Sequence, residues 1–175
     1  SSALKRFASS LVVAEHDGSA LTAGTLSTIT AASQIGGDIS LLVTGKGLDA
    51  VAAHASSVAH VGKVLVLDSE TLEHSLAEDM AAALNQVVTD QGVSHVLAPA
   101  SNNCKNFLPR AAALMDCSPL MDVLAVVDEN TFQRPMYAGN AIATMKMGNA
   151  TKFLLVRPTA FEKAAAGAGA ASVEG

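Results

Sequence analysis

Tryptophan is missing and tyrosine occurs once; with five phenylalanines the aromatic share is only 3%. A platform that stacks single-stranded bases needs aromatic faces, so this composition excludes one. Charge is also scarce, at 15% of residues with a net of −5. Nucleic-acid binders present a basic face, and an acidic balance argues against that class. The two cysteines, Cys104 and Cys117, stand 13 positions apart and form no C-x-x-C pair. A disulfide framework or a zinc site is therefore not expected, and a reducing compartment fits. The five histidines, His16, His54, His60, His74 and His95, show neither H-x-x-x-H nor H-x-x-E-H spacing, so no metal centre is expected. No apolar run approaches the roughly 18 residues of a membrane span. Neither G-x-S-x-G nor a Walker A motif occurs, and no catalytic constellation emerges.

What the chain does have is small aliphatic side chains. Half of its 175 residues are hydrophobic, mostly Ala, Val, Leu, Ile and Met, which favour close helix–sheet packing. The length suits one domain that buries roughly 70% of its unfolded surface. Short apolar runs alternate with longer amphipathic segments. Residues 11–14, 39–43, 63–67 and 93–98 read as buried strands. Residues 25–35, 48–58, 75–91 and 106–115 read as the helices between them, with Gly36-Gly37 closing the first. Ser75 with Glu78 fits a capping box at the start of the third helix. Pro109 is expected in the first turn of the fourth, where its missing N–H costs nothing. Four such β–α units predict a mainly parallel sheet with helices on both faces, a three-layer Rossmann-like sandwich.

After Pro119 the pattern changes. Residues 123–127, 131–136, 141–147 and 152–156 read as strands joined by short turns, predicted to add to the sheet as antiparallel hairpins. The segment AAAGAGAASVEG, residues 164–175, offers little to bury and reads as a linker to something that follows. Residues 1–10 carry Lys5, Arg6, four serines and no acid, as in the remnant of a mitochondrial presequence or a frayed terminus. The α/β domain is thus expected over residues 11–163.

Three segments carry candidate chemistry. V-T-G-K-G-L-D-A, residues 43–50, matches a dinucleotide-binding glycine pattern, and Asp68 lies 21 residues past Gly47, at ribose-binding spacing. Against it, the turn follows the second strand rather than the first, and Asp49 would repel a pyrophosphate at the helix N-terminus. A plain β–α turn is the expected reading of Gly45 and Gly47. The loop at residues 98–110 lies at the carboxyl edge of the sheet, where open α/β folds bind ligands. Ser101, Asn102 and Lys105 are its candidate anion donors, beside the alternative of a polar loop that caps the fourth helix. Cys104 has no basic neighbour in sequence and is expected to be an inert thiol. In residues 131–141, Arg134, Tyr137 and Asn140 sit among apolar strands, and Gly139 permits a positive φ. Tyr and Arg favour surfaces that meet a partner. A hairpin turn with a capped tyrosine is the alternative.

Several stretches resemble electron-transfer flavoprotein α subunits in the same order. They are L-V-V-A-E-H (11–16), T-L-S-T-I-T-A-A (25–32), A-S-N-N-C-K-N-F-L-P-R-A-A-A (100–113), M-D-V-L (121–124) and T-F-Q-R-P-M-Y-A-G-N-A (131–141). The resemblance runs from about residue 11 to residue 163. It implies the first domain of the α subunit, with a fold like that of the adenine-nucleotide α hydrolases. It implies an electron carrier rather than an enzyme, built as an αβ heterodimer in the mitochondrial matrix. Such a carrier takes electrons from acyl-CoA and related dehydrogenases of fatty acid β-oxidation and passes them to a ubiquinone oxidoreductase. The resemblance places FAD mainly in a second α domain, downstream of Gly175, and AMP in the β subunit. No FAD-binding residue carries over to positions 1–175, and no catalytic or metal site is implied. The first domain would be a platform that packs on the β subunit. A free-standing adenine-nucleotide-binding domain of similar fold is the alternative. A nicotinamide dehydrogenase segment would rest on the Gly45 turn alone.

Overall fold

A computed structural model describes residues 8–175. The candidate presequence therefore falls mostly outside the described residues, and its last part is ordered: Ser9 and Ser10 open the first strand. In chain order the elements are β1 (Ser9–Val13), α1 (Ala23–Ile35), β2 (Asp38–Gly45), α2 (Asp49–Ser56), β3 (Lys63–Asp68), α3 (Ala77–Gln91), β4 (His95–Pro99) and α4 (Asn102–Leu114). Then follow β5 (Leu120–Val123), β6 (Ala125–Asp128), β7 (Thr131–Met136), β8 (Ala141–Lys146), β9 (Lys152–Val156) and β10 (Ser172–Glu174). Seven strands form one sheet in the order β10-β3-β2-β1-β4-β9-β5, and every pairing in it is parallel. β6, β7 and β8 form a separate antiparallel sheet.

Alternation along the strands divides the core into two halves. Val12, Leu41, Val43, Leu97 and Leu154 pack with α1 and α2 on one face, and Phe132 of the small sheet enters the same cluster. Leu11, Val13, Leu42, Phe153 and Leu155 pack with α3 and α4 on the other face. The predicted three-layer arrangement is what the chain adopts. Because both faces are covered, the central strands are buried along their length and read as unbroken apolar runs.

Several expectations need correction, the first being that the antiparallel strands add to the main sheet, since β6–β8 form a sheet of their own. The strand at residues 152–156 is not part of a hairpin; it lies between β4 and β5 and runs parallel to both. Its run Phe153-Leu154-Leu155-Val156 has the continuous apolarity of an interior parallel strand rather than hairpin alternation. The strand expected at 123–127 is two strands. Asp122 adopts φ 56°, the ladder slips, and beyond Leu124 the chain leaves for the small sheet. Ser75 also adopts a positive φ, 49°, so it cannot serve as the N-cap, and α3 starts at Ala77 without a side-chain cap. Pro109 lies inside α4, because Ser101 caps that helix a turn earlier than expected.

The segment at residues 164–175 is docked rather than free. The N–H of Ala59 donates to Ala165 O (2.9 Å), that of Gly169 to Ser57 O (2.8 Å) and that of Ala171 to Ser56 O (2.9 Å). The last two acceptors are carbonyls at the end of α2, which the helix itself leaves without donors. β10 then runs alongside β3, and Glu174 pairs with Lys63 at 2.8 Å. Small residues permit this approach: a Cβ at Gly169 would lie 2.2 Å from Val58 O. An Ala/Gly composition thus fits a strap pressed on backbone as well as it fits a free linker.

At the amino-terminal edge of the sheet, buried His95 and Lys152 face each other across β4 and β9. His95 Nε2 donates to Glu129 O at 2.6 Å, since a carbonyl can only accept, and this ties the small sheet to the large one. Burial holds the imidazole below the ordinary histidine value; the Glu129 carbonyl opposes that shift, and the Lys152 charge adds to it.

The docked strap yields a direct expectation. Limited proteolysis should leave residues 164–175 intact while exposed loops are cut. Gly169→Val should accelerate cleavage there by roughly tenfold or more, by raising the population of the released strap. Equal cleavage of both forms at this end would contradict docking.

Candidate functional site

The strand order reverses at β1, with β2 and β3 on one side and β4 on the other. The carboxyl ends of β1 and β4 therefore form the crevice where open α/β sheets hold ligands. Glu15 lies two residues past the end of β1. Its N–H donates to Thr25 Oγ1 (2.8 Å) in the first turn of α1. Its carboxylate accepts from Ser101 Oγ (2.7 Å), which itself accepts the Cys104 N–H (3.0 Å) as the cap of α4. One residue thus ties β1 to the starts of both α1 and α4. The next residues close on themselves: Asp17 accepts from the Ala20 N–H, the Ser19 hydroxyl and the Ser19 N–H, which lower its carboxyl to about 2. His16 Nε2 donates to Thr44 O (2.9 Å), and its Nδ1 accepts the Gly18 N–H (3.2 Å). A cavity of about 390 Å³ opens between these groups, with Glu15, His16, Glu73 and Asn103 in its walls. Its walls carry two carboxylates, and the one lysine among them, Lys46, is paired with Glu70, so the charge lining it does not favour phosphate.

The glycine turn is closed in the same way. Asp68 accepts from the Gly47 N–H (3.0 Å) and the Leu48 N–H (3.2 Å). These are the amides a pyrophosphate would need, and the chain's own acid holds them. Lys46, the one cation of the turn, pairs with Glu70 at 2.6 Å. Asp68 does lie at the spacing read from the sequence, but it braces the turn. A dinucleotide diphosphate does not fit this edge.

The candidate anion donors point apart. Ser101 turns to Glu15, Asn102 stays exposed in the first turn of α4, and Lys105 Nζ lies 3.7 Å from Asp122 Oδ1. Among the described residues no group of histidine, cysteine and acidic side chains has metal-binding geometry.

Arg134 and Tyr137 line one cavity near the tip of the β7–β8 hairpin, and Asn140 closes the turn there, its N–H donating to Tyr137 O at 3.1 Å. Tyr137 (φ 50°), Ala138 (φ 54°) and Gly139 (φ 91°) are consecutive left-handed residues. For the first two this is strained backbone, held in an unusual turn. The turn puts Tyr137 in solvent at 78% exposure, and Ile142 on β8 is 62% exposed. Val127, Met136 and Met145 are exposed as well, so the small sheet carries unusually much apolar surface. Arg134 is half-buried, and its buried Nε has no hydrogen-bond partner among the described residues. Sequence reasoning missed Glu15 and Arg157. An acid two residues after the first strand and a cation directly after the apolar run at residues 153–156 were their available signals.

Cys104 is fully buried beneath Ser101. Burial pushes its thiol up to about 12; the nearby Glu15 charge adds to this, and a hydrogen bond with Ser101 opposes it. Cys117 is only partly buried. With a disulfide reagent at pH 8 the native chain should titrate one thiol quickly, and Cys117→Ser should abolish that phase. Cys104 should react only on unfolding, because the thiolate is the reactive form. Fast reaction of two thiols in the folded chain would refute the placement.

Comparison with known proteins bears on this arrangement. The family model for the electron transfer flavoprotein domain matches residues 10–175. The α subunit of electron transfer flavoprotein from Pseudomonas aeruginosa is 49% identical over 164 residues, covering 94% of this chain and 52% of that protein. The mitochondrial α subunit from Dictyostelium discoideum is 45% identical over 173 residues, 95% of this chain and 49% of its own length. That from Arabidopsis thaliana is 41% identical over 164 residues, covering 90% and 45%. The chain spans about half the length of these curated relatives. With matches of this depth along nearly all of its residues, and the α/β sheet they would share, this chain belongs to the electron transfer flavoprotein family, among relatives of its α subunits.

Proposed function

We propose that this chain serves as the N-terminal platform domain of an electron transfer flavoprotein α subunit. The observation that carries the reading is a division of labour on its surface. The carboxyl edge, where a fold of this kind would take a nucleotide, is closed by Glu15 and Asp68. The apolar and strained surface is displaced to the β7–β8 hairpin instead. A domain built this way presents a surface and does no chemistry of its own. The relatives are named for electron transfer, so the working protein would be an electron carrier rather than an enzyme. FAD would supply the redox chemistry from another part of the subunit, and no step of it passes through the residues described here.

The platform would pack on a β subunit through the hairpin, completing a heterodimer with AMP in the β subunit. Acyl-CoA and related dehydrogenases of fatty acid β-oxidation would be the donors, and a membrane-bound ubiquinone oxidoreductase the acceptor. Two of the relatives above carry mitochondrial names, which favours the mitochondrial matrix if this chain comes from a eukaryote. The other reading, a free-standing adenine-nucleotide-binding domain, meets the acidic edge as its obstacle.

Tyr137→Ala and Ile142→Ser test the platform surface. Both side chains are exposed, so the variants should melt within about 0.5 kcal/mol of the parent chain. Each should weaken assembly with the β subunit by roughly 2 kcal/mol or more if it is an anchor. Calorimetry on the same samples gives both quantities, and unchanged assembly by properly folded variants would move the interface elsewhere.

A further inference from the structure

Behind the hairpin tip lies a second cavity, of about 540 Å³, with Arg134, Arg157, Asp122 and Tyr137 in its walls. Its two arginines arrive on different strands. Arg134 sits on β7, whose neighbour Gln133 accepts the Leu124 N–H at 2.8 Å. Arg157 follows β9, and its own N–H donates to Val123 O at 3.0 Å. The end of β5 therefore fixes both backbones beside one opening. No carboxylate among the described residues lies within 4.0 Å of either guanidinium. The acid in the cavity wall, Asp122, has the Lys105 ammonium 3.7 Å from its Oδ1. The buried Arg134 Nε also lacks an acceptor. Two unpaired guanidinium groups at one opening stand out on a chain of net charge −5.

A guanidinium offers its N–H groups as a planar fork that matches a carboxylate, and a buried donor without an acceptor is costly to leave so. The rim of the cavity decides which carboxylate fits. Met136 and Tyr137 form an exposed apolar edge around it, which a small free anion would leave uncovered and a protein surface would bury. We infer that the Arg134–Arg157 cavity receives an aspartate or glutamate side chain of the companion subunit, as the charged centre of the hairpin interface. This inference rests on the platform reading above.

The test measures assembly of the chain with the β subunit from low to high NaCl. It compares the parent with Arg157→Gln, Arg157→Lys, the Arg134→Gln/Arg157→Gln pair and Tyr137→Ala, each checked for an unchanged melting temperature. Arg157→Gln serves alone should the pair fail to fold. Parent affinity should fall with salt. Arg157→Gln should lose about 30-fold and flatten the salt dependence, and Arg157→Lys should recover only part, since an ammonium cannot make the fork. Normal, equally salt-dependent assembly by folded Arg157→Gln, with Tyr137→Ala impaired, would overturn the carboxylate receptor and leave the interface standing. If neither substitution matters, both readings fall. Inorganic phosphate titrated into the chain alone, followed by NMR at the arginine Nε–H signals, separates the remaining source. Micromolar binding lost in Arg157→Gln, without an effect on assembly, would assign the cavity to a free oxyanion and overturn the proposal.

Discussion

The carboxylate of Glu15, accepted into the crevice between β1 and β4, is the constraint on which the rest of the architecture depends. Its residue joins the first strand to the N-termini of α1 and α4, which pack on opposite faces of the sheet. The position is the one where an open α/β fold has backbone donors to offer a ligand. Here acids of the chain itself occupy the donors: Glu15 accepts the Ser101 hydroxyl in this crevice, and Asp68 accepts the Gly47 and Leu48 backbone N–H groups after β2. The hydrogen-bonding requirement of the turn's backbone amides is thereby met without a phosphate.

Closing that edge moves the functional weight to the other addition to the sheet. β6–β8 hold to the body through Phe132, fully buried on the α1 side, and through the His95–Glu129 hydrogen bond. Beyond those anchors β8 has no further strand beside it among the described residues and remains largely exposed. An edge strand with apolar side chains invites pairing or aggregation unless something covers it. The left-handed Tyr137-Ala138 turn adds local strain to the same place. Exposure, strain and an orphaned guanidinium donor converge on one hairpin, which is hard to account for as structure alone.

Much of this was legible in the amino-acid order, and the failures have physical causes. Strands at residues 39–43 and 63–67 could be read because two-sided burial demands unbroken apolar runs. The same signature marked residues 152–156, yet order along the chain drew that strand into a hairpin, since the long connection that returns it to the sheet leaves no local trace. Asp68 was found by spacing but its partners were not, because a carboxylate that braces a turn and one that binds ribose occupy the same sequence position. The docking of residues 164–175 left no trace in the sequence, since Gly and Ala serve both flexibility and close backbone approach. Arg134 and Tyr137 stood out by chemistry, whereas Arg157, 23 residues beyond Arg134, joins them only through the fold.

The claim at the centre of this account is that the domain works through its hairpin and not through its carboxyl edge. Amide hydrogen exchange, recorded on the chain alone and in complex with the β subunit, tests it most directly. The account predicts slowed exchange at residues 131–146 on assembly, with residues 45–48 and 101–105 equally protected in both states. Protection gained at 45–48 and 101–105, with 131–146 unchanged, would contradict it.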